Sequence, residues 1–260
     1  MNRASTTLGS LLVLLLFLAA WQWGPGLFHV PEFVLPSLSS TLQEAGRMYR
    51  VEGLMMHAGV TALEVIAGFV IGSALGVLIG VVLGLSPRTE TMLSPYILAL
   101  QIAPKVAFAP LFVMWMGYTV YPKILVAVLI VFFPVMVNVL GAVRAVDPDQ
   151  VNLVRALCGS RLQIFRFVEF PSAMQALFAG LRIASTLAVI GVTVGELVGG
   201  DKGLGYLLVY GEGQGNTAMV FVSILGLTLI GIVAYAAVVW LERRLLHYVP
   251  RANMRMAWRT

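Results

Sequence analysis

Charged residues make up only 11% of this 260-residue chain, against about a quarter in an average soluble domain. Such scarcity excludes a large hydrated surface, and together with 59% hydrophobic residues it marks a membrane protein. Cysteine occurs once, at Cys158, which excludes an internal disulfide and a cysteine metal cluster. No Gly-Lys pair occurs, so the phosphate loop Gly-x-x-x-x-Gly-Lys-Ser/Thr is absent and ATP is not bound by that route. His29, His57 and His247 lie outside the predicted apolar cores without metal-ligand spacing, and no chemistry is assigned to them. The net charge of +5 is not read as nucleic-acid binding, because excess arginine belongs on the cytoplasmic loops of a polytopic protein.

What is present is long apolar runs. A spanning helix needs about 20 apolar residues, and the runs between charges and Gly/Pro breaks give candidate spans at 8–23, 59–85, 92–116, 124–143, 173–198 and 218–241. The expected fold class is therefore an all-α polytopic membrane protein of six transmembrane helices, with residues 1–260 as a single transmembrane domain. Arg3 precedes the first run like a signal peptide, but Leu18-Ala19-Ala20 lacks the small-x-small cleavage pattern, so the run is read as an uncleaved anchor. With the N-terminus inside, the inner loops hold eleven Lys and Arg, against four on the outer side: Arg47, Arg50, Lys123 and Lys202. The positive-inside bias puts both termini in the cytoplasm. The tail from Glu242, with Arg243, Arg244, Arg251, Arg255 and Arg259, reads as a basic collar at the inner lipid surface.

Glycine recurs every fourth residue in the second span, at Gly68, Gly72, Gly76, Gly80 and Gly84. Such a bare strip lets another helix approach closely. The third span is interrupted by Pro95, Pro104 and Pro110 and contains Lys105. Two readings stand: the prolines kink a packed helix while Lys105 snorkels, or irregular backbone and charge line a water-filled cavity. Polar groups in the third and fifth spans, Gln101, Lys105, Thr186, Thr193 and Glu196, are candidates for a translocation pathway. For Glu196 a purely structural alternative remains, pairing with Lys105 or Lys202 near the outer end of its span.

The inner loop, residues 144–171, is patterned as a helix-turn-helix. Asp147-Pro148-Asp149-Gln150 supplies an N-cap acid, a proline at the first helical position and a glutamine at the capping-box position. A helix from Pro148 runs through Leu153, Val154, Arg155 and Leu157 to Cys158-Gly159, where glycine suits a stop. Ser160 and Gln163 repeat the capping-box spacing, and a second helix is expected to end ahead of Pro171. An amphipathic pair lying on the bilayer surface fits the same pattern. Cys158 reads as a buried small residue at a helix end, with a regulatory thiol as the alternative.

In register, Arg155, Leu157, Ser160, Arg161, Phe165 and Phe170-Pro171 resemble the cytoplasmic motif of permease subunits of bacterial ABC importers. Leu35-Pro36-Ser37, Thr61, Gly68-Phe69, Pro104-Lys105, Ala109-Pro110-Leu111, Trp115, Gly117 and Phe133-Pro134 are similar to the nitrate/sulfonate/taurine branch. So are Gly180-Leu181-Arg182-Ile183, Gly195-Glu196 and Gly203-Leu204-Gly205-Tyr206. The order of these fragments over roughly residues 35–210 carries the resemblance. The chain departs from the family at Asn152-Leu153-Val154, where Glu-Ala-Ala is usual, at Cys158, where glycine is usual, and at Gln175, which replaces a common proline.

The resemblance implies a type I importer permease in the bacterial inner membrane. It implies a second permease chain, identical in the simplest case, two cytoplasmic ABC ATPase subunits carrying ATP and Mg, and an extracytoplasmic solute-binding protein. The helix at Asp147, Pro148, Gln150, Leu153, Val154, Arg155, Leu157, Cys158, Gly159 and Ser160 would be the ATPase-coupling element. The solute would be a nitrate-, sulfonate- or taurine-like anion or a small molecule resembling a thiamine precursor. No cofactor, metal or catalytic residue is expected on this chain. An ion-driven secondary transporter would show inverted repeats and several midplane ionisable groups. An intramembrane hydrolase would need a nucleophile with a placed base, and neither pattern is evident.

Overall fold

The computed structural model describes residues 3–246, with side chains from residue 8 onward. The basic residues Arg251, Arg255 and Arg259 and also His247 lie outside them. Helix α1 (Arg3–Leu27) leads to α2 (Leu38–Arg47), and α3 (Leu54–Leu85) to α4 (Pro87–Ile102), α5 (Ala109–Met116) and α6 (Val120–Arg144). The loop carries α7 (Pro148–Ala156) and α8 (Arg161–Ile164), followed by α9 (Phe170–Gly199), α10 (Leu204–Gly213) and α11 (Thr217–Leu245). Five runs are long and apolar enough to cross a bilayer: Leu8–Leu27, Leu54–Leu85, Val120–Arg144, Arg161–Gly199 and Thr217–Leu245. Helix α4 with the run Lys105–Met116 makes a sixth across a 77° bend.

The bend has a local cause. Ala103 precedes Pro104 and takes φ −54, ψ 135, because a proline ring drives the residue before it out of the helical region. Helix α4 thus ends with free carbonyls. Lys105 Nζ supplies donors to them, 2.6 Å from Gln101 O and 3.5 Å from Ala103 O.

Helix α6 is the centre of the bundle, sandwiched between α3 and α9. The glycine strip of α3 lies directly on it: a Cβ at Gly68 would stand 2.5 Å from Ala127 Cβ, at Gly76 2.8 Å from Phe132 O, and at Gly80 2.7 Å from Met136 O. From the other side, Cβ atoms at Gly191 and Gly195 would stand 2.6 Å from Ala127 Cα and Lys123 Cα. The valines of α6 that fill this seam, Val131, Val135 and Val139, are buried. In lipid such packing is driven by close van der Waals contact rather than by expulsion of water.

Several expectations are corrected in the loop. The second helix does not stop before Pro171, because Arg161–Gly199 is one helical run. A wider turn over Phe165–Glu169 absorbs the proline, whose missing N–H and ring clash would break a tight helix. The left-handed residue that ends α7 is Cys158, at φ 57, not Gly159. Cys158 N donates to Arg155 O at 2.9 Å and Gly159 N to Val154 O at 2.9 Å, the paired bonds of a Schellman stop. Cys158 is exposed rather than buried, as is expected beside a helix none of whose residues is buried. Asp147 Oδ1 accepts the Asp149 amide at 2.9 Å, without the reciprocal bond expected of Gln150. At Ser160 the capping box is complete: its hydroxyl accepts from Gln163 N at 3.3 Å and its amide donates to Gln163 Oε1 at 2.7 Å.

Candidate functional site

At the end of the bundle opposite this loop, ionisable groups converge beneath α10. His57, Thr61 and Glu64 follow one another at helical spacing on α3, so they share a face. The first turn of α6 adds Lys123, and the last turns of α9 add Glu196. Their exposures are 6% for His57, 0% for Thr61, 3% for Glu64, 1% for Lys123 and 1% for Glu196. Lys123 Nζ donates to Glu64 Oε1 at 3.1 Å and to Lys202 O at 3.4 Å. Thr61 Oγ1 donates to Glu196 Oε1 at 2.7 Å.

The same side chains cap α10, whose N-cap residue Gly203 has no side chain to do so. Gly203 N donates to His57 Nδ1 at 3.0 Å, Leu204 N to Thr61 Oγ1 at 2.8 Å, and Gly205 N to Glu196 Oε2 at 2.6 Å. Three amides that a helix start leaves unpaired are thus satisfied from α3 and α9, with a carboxylate at the positive end of the helix dipole. Gly203 has φ 112, and a Cβ on it would collide with the Glu196 carboxyl. A Cβ on Gly205 would stand 2.8 Å from Glu196 Cβ. The His57 and Tyr206 rings stack with centroids 5.8 Å apart.

Of the pathway candidates, Glu196 belongs to this cluster, but the Lys105 expected as its partner does not. Lys105 caps α4 and lies 4.8 Å over the Phe133 ring. Gln101 is exposed on α4. Thr186 and Thr193 line a groove of about 380 Å³ between α9 and α11, with Ile224, Leu227 and Thr228. Their hydroxyls donate to Ile183 O and Val189 O at 2.8 Å, so the groove presents an apolar wall. On the loop, Leu153 and Leu157 are exposed.

Four members of the cluster are not among the pathway candidates that the sequence offers. Lys123, which the apolar runs place in an outer loop, is buried in a span, and His57, which shows no metal-ligand spacing, accepts an amide. Glu64 carried a signal, since a carboxylate inside an apolar span is a functional hypothesis by default. Thr61 figured only as part of a family fragment.

A helical bundle of five to six runs long and apolar enough to cross a bilayer, with a structured loop at one end and a buried ionic cluster at the other, is the architecture of a polytopic membrane protein. The family model for the binding-protein-dependent transport system inner membrane component matches residues 72–247, and the chain belongs to that family. It is 34% identical to the riboflavin transport system permease protein of Chloroflexus aurantiacus, over 93% of this chain and 90% of that one. It is 30% identical to the formylaminopyrimidine transport permease protein of Halalkalibacterium halodurans, over 95% of this chain and 98% of that one. A solved structure described as an amino acid ABC transporter with histidines aligns with TM-score 0.57 and 17% identity, over 80% of this chain and 97% of that one, and so shares the fold. The chain fits the nitrate, sulfonate and taurine branch and is a membrane permease subunit of an ATP-driven importer.

Proposed function

We propose that this subunit works as one of two identical permease chains, that it is driven by two cytoplasmic ABC ATPase subunits holding ATP and Mg, and that an extracytoplasmic solute-binding protein feeds it. Both termini and residues 144–171 then lie in the cytoplasm, and the His57–Glu196 cluster lies on the outer side, in keeping with the arginine bias of the loops. The observation that carries the reading is α7. It is stopped at both ends by hydrogen bonds, exposes Leu153 and Leu157, and leads into a helical run that continues unbroken to Gly199. An exposed apolar face on a rigid short helix suits docking in a groove of a partner protein.

Movement of that helix tilts α9, and Thr186 and Thr193 face the solute or the second chain as α9 turns. The relatives named for riboflavin and formylaminopyrimidine transport support a small ring-bearing solute, and the branch supports a small anion. The test is recovery of the ATPase on detergent-solubilised permease. Leu153→Asp should abolish recovery while Asp149→Asn leaves it intact. Full recovery with Leu153→Asp would assign α7 to the bilayer surface instead.

A further inference from the structure

We propose that His57, Thr61 and Glu196 form a latch for α10, holding its first three amides in the resting transporter and releasing them when the partner ATPase closes. The proposal rests on the importer reading above and adds a positioning role for these three side chains.

The geometry favours a releasable contact over a permanent one. Helix α10 has a glycine as its N-cap and no side-chain cap of its own, so the amides of Gly203, Leu204 and Gly205 depend on three groups from two other helices. The approach is close enough to require glycine at 203 and 205. Two of the three bonds are linked: Thr61 Oγ1 gives its one proton to Glu196 and takes the Leu204 amide, while Glu196 also takes the Gly205 amide. A small shift of α9 against α3 therefore breaks several contacts together. The latch also sits where such a shift arrives. Glu196 is near the end of the helical run Arg161–Gly199, 39 residues and about 58 Å long at 1.5 Å per residue, whose other end joins the docking loop.

The closed cluster is not electrostatically saturated. Two carboxyl groups, Glu64 and Glu196, are buried in the cluster, the ammonium of Lys123 pairs with Glu64, and Glu64 Oε2 has no hydrogen-bond partner among the described residues. A buried acceptor without a donor is costly, which keeps the closed arrangement from being a deep trap. The exposed Asp201 and Lys202 on the intervening turn are positioned to follow α10 into water.

The experiment uses the reconstituted complex with its ATPase and binding protein. Amide hydrogen exchange over residues 201–207 is compared between the resting and the vanadate-trapped states. Exchange should rise several-fold on trapping. Thr61→Val, which keeps the shape but loses both hydrogen bonds, should give that raised exchange at rest. It should also raise ATP hydrolysis in the absence of loaded binding protein, shrinking the stimulation that the loaded protein produces. Thr61→Ser should restore both. A complex that hydrolyses ATP normally while exchange at 201–207 stays unchanged on trapping overturns the latch alone. So does a Thr61→Val protein that loses thermal stability with its stimulation ratio intact. A purified permease that recruits no ATPase overturns the importer reading and the latch together.

Discussion

Lys123 and Glu64 form an ion pair of 3.1 Å between α6 and α3 in which both side chains are almost wholly excluded from solvent. Removing one partner of such a pair leaves an uncompensated buried charge, at a cost of about 3–5 kcal/mol. Lys123→Met should therefore destabilise strongly, and Lys123→Met with Glu64→Leu should recover much of the loss. Lys105→Met combined with Glu196→Gln should be additive within about 0.5 kcal/mol, since the two side chains share no partner. Melting of the purified variants in detergent measures both cycles. Coupling between Lys105 and Glu196 would contradict the separation seen here.

The glycine strip makes a second test with an internal control. A methyl group at Gly76 would press on Phe132 O and the Met136 amide, at 2.8 and 3.1 Å, and backbone atoms cannot swing aside. Gly76→Ala should cost about 1–3 kcal/mol through overpacking. A methyl group at Gly141 meets nothing within 4 Å, so Gly141→Ala should gain about 0.5–1 kcal/mol of helix stability. The two melting temperatures should move in opposite directions, and movement in the same direction would argue against a packed seam.

Cys158 carries the left-handed turn that glycine carries more easily. At φ 57 its Cβ crowds the backbone, a cost of about 1–2 kcal/mol for a non-glycine residue. Cys158→Gly should therefore slow hydrogen exchange of the Cys158 and Gly159 amides, and Cys158→Val should quicken it. The opposite order would place the turn elsewhere.

Glu44 ties α2 to the start of α11. Arg47 Nε and Nη2 donate to its carboxylate, the shortest bond being 2.6 Å, and Asn216 Nδ2 donates at 2.8 Å. Asn216 Oδ1 in turn caps α11 by accepting the Met219 amide at 3.0 Å. The hydrogen bond from Arg47 is the main reason that the Glu44 carboxyl is held below the ordinary carboxylate range. A depressed folded value means that the contribution is complete above the ordinary pKa of about 4.3 and is lost as pH falls through the lower folded value. Melting temperature should fall between about pH 5 and pH 3 by more in the parent than in Glu44→Gln. Equal slopes would show that the contact contributes nothing.

The spans and the break at Pro104 were legible because their causes are local. Apolar runs of membrane length, prolines without an amide hydrogen and a four-residue glycine period act within one or two turns. The start of α7 at Pro148 and the box at Ser160 and Gln163 are local too. Helices α2 and α10 were missed: both are short and neither is a long apolar run, so span-scale periodicity carries no signal for them. The stop before Pro171 was wrong because a wider turn upstream can accept a proline that a regular helix cannot.

Sequence by itself determined that this chain is a helical membrane protein without its own nucleotide loop, because composition and absent motifs need no partner to be read. It also singled out Glu196 as an ionisable group that a bilayer does not tolerate bare. Only the tertiary structure decided what satisfies that carboxyl. Thr61 is 135 positions away along the chain, and Glu196 took the Gly205 amide and the Thr61 hydroxyl in place of Lys105. The physical reason is burial: a polar group removed from water binds whichever donors the packing of three helices brings within about 3 Å, and the glycine contacts along α6 set how closely those helices approach.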